Sequence, residues 1–243
     1  MDRLAENLRS VRARIRAAAA AAGRDPSEVR LLAVSKTWPA ADVGALAVLG
    51  QRDFAENRVQ ELVGKVAEIT ATPPAGVDPA DLRWHLVGQL QRNKAPAAVR
   101  LGAVVHSVDR PPLVQALARA AEREQREVDV YVQVDLGGPP GRDGSRGGVV
   151  VAGVPALADL VAGTAGVRLL GLMAVAPRDE DPAPAFARLA ELAARVRADH
   201  PAARELSAGM SSDLEAAVTA GATVVRVGTA LFGARHLASD QGV

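Results

Sequence analysis

The sequence predicts an α/β protein of the (β/α)8 TIM-barrel class, a closed parallel sheet ringed by helices. Three observations carry that expectation. Apolar runs of strand character alternate about eight times with stretches of helical periodicity. Alternation at that spacing is the mark of βαβ units, which build parallel sheets. The chain's 243 residues also match the roughly 250 that eight such units occupy. A doubly wound open sheet is the other arrangement of the same elements. No linker composition divides the chain, so one domain over 1–243, with an extra helix in front, is expected.

The elements follow in order. Leu4, Leu8, Val11 and Ile15 recur at helical spacing, so 2–22 reads as an amphipathic helix ending at Gly23. The first strand falls at about 30–36, and Pro39 opens a helix over 40–49. A short strand at 52–56 leads through Asn57 into a helix reaching about Ile69, and 70–80 is a loop. The third and fourth strands are read at 84–88 and 104–108, followed by helices near 93–100 and over 111–125. Strand 128–136 runs into a glycine-rich loop, 137–148. That loop has neither GxxxxGK[ST] nor a GxGxxG opening a helix, so it reads as a mobile connection rather than a phosphate cradle. Helix 154–163, strand 168–175, helix 183–199, strand 205–209, helix 212–220 and strand 223–228 complete the series.

Composition narrows the function classes. A net charge of +1 gives no electrostatic case for nucleic acid or an anionic membrane as partner. The absence of cysteine excludes disulfides and thiolate metal sites. The four histidines lack metal-ligand spacing, so no metal is expected. No apolar run approaches the roughly 20 residues of a membrane span. The charged N-terminus has no signal-peptide core, so a cytoplasmic chain is expected.

The strand ends carry the chemistry. Leu32, Val34 and Lys36 share one strand face, which puts an amine at the carboxyl end of a buried strand, where barrels bind ligands. Of 29 basic residues only Lys36, Lys65 and Lys94 are lysines. Where arginine is the default cation, a lysine can be present for an amine able to lose its proton and attack a carbonyl. A solvated lysine just past a strand is the plainer reading.

Two later loops point to an anion. Ser212 and Glu215 fit a capping box, leaving amides free at a helix start, and Gly228-Thr229 follows the last strand. Loops after the seventh and eighth strands are the frequent phosphate site of such barrels. Ordinary capping plus a tight turn accounts for them equally. Arg226 shares a face with Val224 and Gly228 inside the sheet, so it must meet a carboxylate or a ligand atom.

Five ordered blocks then become specific: Ala33–Lys36, Ala55–Glu61, Trp84–Lys94, Leu206–Asp213 and Val225–Arg235. Together they resemble the pyridoxal phosphate homeostasis proteins (the YggS/PROSC family), relatives of the alanine racemase N-terminal barrel. The resemblance implies a fold-type III barrel with pyridoxal 5'-phosphate as a Schiff base on Lys36. It implies phosphate on Ser211, Gly228 and Thr229, with the Met210 backbone nearby. Asn57 would lie near the ring hydroxyl and Arg226 beside the pyridine nitrogen. Two departures are Ala208, where the family usually has methionine, and Asp135, where asparagine is usual.

The resemblance implies a protein that buffers the cofactor or delivers it to pyridoxal-phosphate-dependent apoenzymes, not an enzyme, and a monomer is expected. The alternative is an amino-acid racemase. Racemases built on this barrel add a C-terminal domain that brings a tyrosine, whereas the one tyrosine here, Tyr131, lies mid-strand and reads as packing. His85 could serve as a base, although a structural hydrogen bond is the commoner role for a strand histidine. A barrel with no cofactor is the third possibility.

Overall fold

A computed structural model describes residues 2–137, 147–177 and 180–233. The strands are β1 (Arg30–Val34), β2 (Asp53–Glu56), β3 (Arg83–Leu86), β4 (Val104–Val108) and β5 (Val128–Asp135). They continue as β6 (Val149–Val150), β7 (Val167–Ala174), β8 (Glu205–Ser207) and β9 (Val224–Val227). Parallel pairing runs β1 to β5, then β7, β8 and β9, and β9 returns to β1, which closes an eight-stranded barrel. The open sheet is thereby excluded. The two-residue β6, which the sequence does not announce, pairs with β5 outside that ring. Most of the 137–148 loop falls outside the described residues.

The helices are α1 (Asp2–Ala21), α2 (Ala40–Val48), α3 (Val59–Ala71), α4 (Ala95–Arg100) and α5 (Pro111–Glu124). After them come α6 (Val154–Ala162), α7 (Pro182–Asp199), α8 (Leu214–Thr219) and the single turn α9 (Thr229–Phe232). Strand alternation sorts the side chains. Leu31, Ala33, Phe54, Trp84 and Val130 face the helices and join the main core. Leu32, Val34, Ala55 and Val224 form a cluster on the other face, and Val104, Tyr131 and Met173 form another. Burying each large side chain contributes about 1.5–3 kcal/mol. Branched apolar layers usually fill such barrels. Here His85, His106, Ser207 and Arg226 are buried as well.

Helix α1 braces the carboxyl end of the barrel. Leu4, Leu8, Val11 and Ile15 form its buried stripe. Its polar residues reach the last two loops: Asn7 Nδ2 donates to Leu231 O at 2.9 Å and Arg3 donates to Phe232 O at 2.6 Å. Arg14 donates to Ser211 O at 3.0 Å and holds both oxygens of Glu215. Trp38 stacks on Phe232 with centroids 5.7 Å apart.

Two expectations need correction. The capping box at 212–215 does not form: α8 begins at Leu214 with Asp213 at its N-cap, and Glu215 is engaged by Arg14. The strand expected over 205–209 ends at Ser207, because Gly209 turns the chain at φ +88°.

Candidate functional site

Lys36 follows β1 by two residues and is presented by a braced turn. The next residue, Thr37, has φ 69°, unfavourable for a β-branched side chain, and its N–H donates to Glu61 Oε1 at 3.2 Å. Behind the turn, Ser35 Oγ donates to Glu56 Oε1 at 2.7 Å. Lys65 Nζ donates to Ser35 O at 2.6 Å and pairs with the same carboxylate. Burial pushes the Glu56 carboxyl up from its ordinary value, against the pull of Lys65 and Ser35.

Arg226, on β9, points its guanidinium across the barrel. Its protein partner is not the carboxylate that the sequence offered as one alternative. One terminal nitrogen donates to Ser207 O at 2.6 Å and Ser207 Oγ at 2.8 Å; the other donates to Ala174 O at 2.7 Å. A guanidinium has five N–H groups, so two remain unspent among the described residues. Burial draws its pKa down to about 10, which leaves it charged at neutral pH.

The last two loops meet through Ser211, whose Oγ accepts the Ala230 N–H at 3.1 Å. This bond ties the β8 loop to the first turn of α9. Thr229, the first residue of α9, has no intrahelical acceptor for its own N–H. The Met210 N–H is not available to a ligand, since it donates to Asp213 Oδ1 at 2.5 Å.

Lys36, Asn57, Met210, Ser211, Arg226, Gly228 and Thr229 all line one cavity of about 420 Å³ at this end of the barrel. That volume lies in the roughly 300–1,000 Å³ range of small-molecule sites. Ser212, part of the expected capping pattern, completes much of its wall with Gln133, Met173, Val87 and Gly88, to which the sequence assigns no role. Alternation from Tyr131 could have found Gln133. Gly88 allows a close approach: a Cβ there would sit 2.3 Å from Asn57 O. Gln133 Oε1 is a buried acceptor without a hydrogen-bond partner among the described residues. A larger groove, of about 760 Å³, is lined by Arg92, Arg110, Arg119 and Arg123 and includes none of these strand-end residues.

The histidines take structural partners. His85 Nε2 lies 3.2 Å from Asp53 Oδ1 and its Nδ1 lies 2.9 Å from His106 Nε2. Tyr131 is buried, stacks on His106 and donates its hydroxyl to Glu205. Ala208 is buried, and Asp135 accepts the Gly137 N–H at 2.9 Å. Neither departure lines the cavity. Among the described residues no group of acidic and histidine side chains is placed to hold a metal ion, and no helix is long and apolar enough to cross a membrane.

A closed barrel with a lysine, an arginine and hydroxyl loops at its carboxyl end defines a class. The family model described as the alanine racemase N-terminal domain matches residues 2–236. The pyridoxal phosphate homeostasis protein of Mycobacterium tuberculosis is 45% identical, over 97% of this chain and 94% of its own length. That of Pseudomonas aeruginosa is 45% identical over 97% of both chains. The structure of PipY from Synechococcus elongatus PCC7942 with pyridoxal phosphate bound is 38% identical, with a TM-score of 0.80 over 95% of this chain and all of that one. The chain belongs to the pyridoxal phosphate homeostasis protein family, within the alanine racemase N-terminal-domain class.

Proposed function

We propose that this chain binds pyridoxal 5'-phosphate at the carboxyl end of the barrel, buffers it, and passes it to pyridoxal-phosphate-dependent apoenzymes. The observation that carries the reading is the single cavity lined by Lys36, Arg226, Ser211, Gly228 and Thr229. Its donor set fits that cofactor chemically. Lys36 offers an amine for an aldehyde, Ser211 and Thr229 offer hydroxyls for a phosphate, and Arg226 has unspent N–H groups for a ring nitrogen acceptor. The buried, partnerless Gln133 Oε1 suits a polar ligand better than an apolar one.

When bound, the cofactor supplies an aldehyde carbon and a ring that can withdraw electrons. The chain's own residues supply the hold. Lys36 would hold the aldehyde through its amine, a link that water or another amine could reverse. Arg226, which donates and never accepts, would keep a proton off a ring nitrogen placed against it. Such a ring withdraws electrons weakly, which favours storage over turnover. The relatives are named for homeostasis and not for an enzymatic reaction, in keeping with this reading.

The test is reduction of the pyridoxal-phosphate-loaded protein with borohydride, followed by peptide mass mapping. The adduct is expected on Lys36. An adduct mainly on Lys65 or Lys94 would overturn the assignment, and a colourless protein indifferent to added pyridoxal phosphate would overturn cofactor binding.

A further inference from the structure

The barrel interior contains an unbroken hydrogen-bonded chain whose protons can be assigned. It begins at Arg226, which donates to Ser207 Oγ at 2.8 Å. Ser207 Oγ lies 3.0 Å from His106 Nδ1, on a strand across the barrel. His106 Nε2 lies 2.9 Å from His85 Nδ1, and His85 Nε2 lies 3.2 Å from Asp53 Oδ1. Arg226 can only donate, so Ser207 Oγ accepts there and is left with one proton to give to His106 Nδ1. For neutral rings, His106 then carries its proton on Nε2 and gives it to His85 Nδ1. His85 in turn carries its proton on Nε2, facing the Asp53 carboxylate.

The opposite order fails at both ends. It would leave the buried Ser207 hydroxyl proton without an acceptor and set a bare His85 nitrogen against a carboxylate oxygen. The cation at the cavity and the anion at the far end therefore fix the same direction independently. The surroundings agree. Both rings are buried, and desolvation holds both pKa values below the ordinary histidine value, His106 well below. Arg30 and Arg226 also oppose a proton on His106, while Arg30 and Arg83 oppose one on His85 against the pull of Asp53. Tyr131 stacks on His106 with centroids 4.2 Å apart, and its hydroxyl is committed to Glu205, the partner of Arg30.

We propose that Asp53, His85, His106 and Ser207 are positioning residues, a one-way relay that orients the Arg226 guanidinium toward the ring-nitrogen side of the cofactor cavity and ties its charge to Asp53 across the barrel. The relay explains why polar side chains occupy an interior that apolar residues usually fill. It also leaves both histidines unable to serve as bases, since each ring nitrogen has a fixed partner. The link to the ring nitrogen rests on the cofactor reading above; the relay itself does not.

Two measurements separate those parts. Long-range ¹⁵N–¹H correlation spectra of the ligand-free protein should show His85 and His106 as neutral Nε2–H tautomers between pH 6 and 8. An imidazolium, or an Nδ1–H tautomer for His106, would overturn the relay whatever the protein binds. The second measurement follows the absorbance of the pyridoxal-phosphate-loaded protein against pH. Ser207→Ala and Asp53→Asn should each move the midpoint by about half a pH unit or more, whereas Ser207→Thr, which keeps the hydroxyl, should restore the wild-type curve. Asp53 does not line the cavity, so its effect on the midpoint is exerted from outside the wall. Wild-type midpoints in Ser207→Ala and Asp53→Asn, with all variants folded by circular dichroism, would overturn the coupling to the cavity. The Nε2–H pattern should persist in ligand-free Ser207→Ala, because Asp53 alone fixes the same direction, and its loss with folding retained would overturn that independence.

Discussion

Lys65 Nζ donates to the main-chain oxygen of Ser35 at 2.6 Å, one residue before Lys36. The same ammonium pairs with Glu56, whose side chain is fully buried. One of the chain's three lysines thus holds the backbone that presents another. The arrangement suits an ammonium, which spreads donors around a point, better than a planar guanidinium.

Lys65→Met should therefore destabilise the fold by about 3–5 kcal/mol, because it strands a buried carboxylate. Lys65→Met combined with Glu56→Leu should recover part of that loss. Denaturant unfolding monitored by Trp38 and Trp84 fluorescence checks both. A single substitution as stable as wild type would mean that the pair is already hydrated.

Ser211→Ala with Thr229→Val should weaken pyridoxal phosphate far more than unphosphorylated pyridoxal. Two hydroxyl bonds to a charged group are worth about 1.5–3 kcal/mol each, so the loss is roughly 3–6 kcal/mol. Pyridoxal is the control that matters, because Ser211→Ala also releases the Ala230 N–H. Equal weakening of both ligands would move the phosphate subsite elsewhere.

The neutral histidines set a pH dependence. Burial depresses the folded pKa of His85 and His106, so below about 6.5 the unfolded chain binds more protons than the folded one. Their contribution is present above that pH and is lost as pH falls toward the folded values. Unfolding free energy should drop by roughly 1–2 kcal/mol from pH 7.5 to 5.5 on this account. Glu56, pushed up by burial, works in the opposite sense, so comparison with His106→Gln isolates the histidine part. A variant with wild-type pH sensitivity would sink the assignment.

Much of this was legible in the chain because strand alternation is local. Leu32 and Val34 share a face by their spacing alone, and so do Val224 and Arg226, whereas the strand expected to reach residue 36 ends at Val34 and a turn presents Lys36. The partners that decide chemistry were not legible. Arg226 is held by Ser207 and Ala174, two of its three acceptors being main-chain carbonyls that no side-chain pattern announces. The Ser212–Glu215 pattern failed because Arg14, from the far end of the chain, takes the glutamate. The His106 contact with Ser207 likewise exists only once the sheet has closed.

Racemisation should be absent at enzymatic rates. Moving a proton from one face of an α-carbon to the other needs a base on each side, within hydrogen-bond reach. Among the described residues lining the cavity, Lys36 is the one side chain able to act as a base; the wall includes no histidine, tyrosine, aspartate or glutamate. Tyr131 is committed to Glu205, and burial pushes its pKa up. His85 has a partner at each ring nitrogen. On the proposed cofactor reading Arg226 would add a second barrier, since a ring nitrogen placed against a permanent donor would stay unprotonated and withdraw electrons weakly. The assay follows solvent deuterium into the α-carbon of L- and D-alanine and other amino acids, with circular dichroism of the mixture read in parallel. Slow exchange that keeps configuration is the expected result of a single lysine. Turnover of about 1–10³ per second on any of them would make the protein a racemase and end the carrier reading.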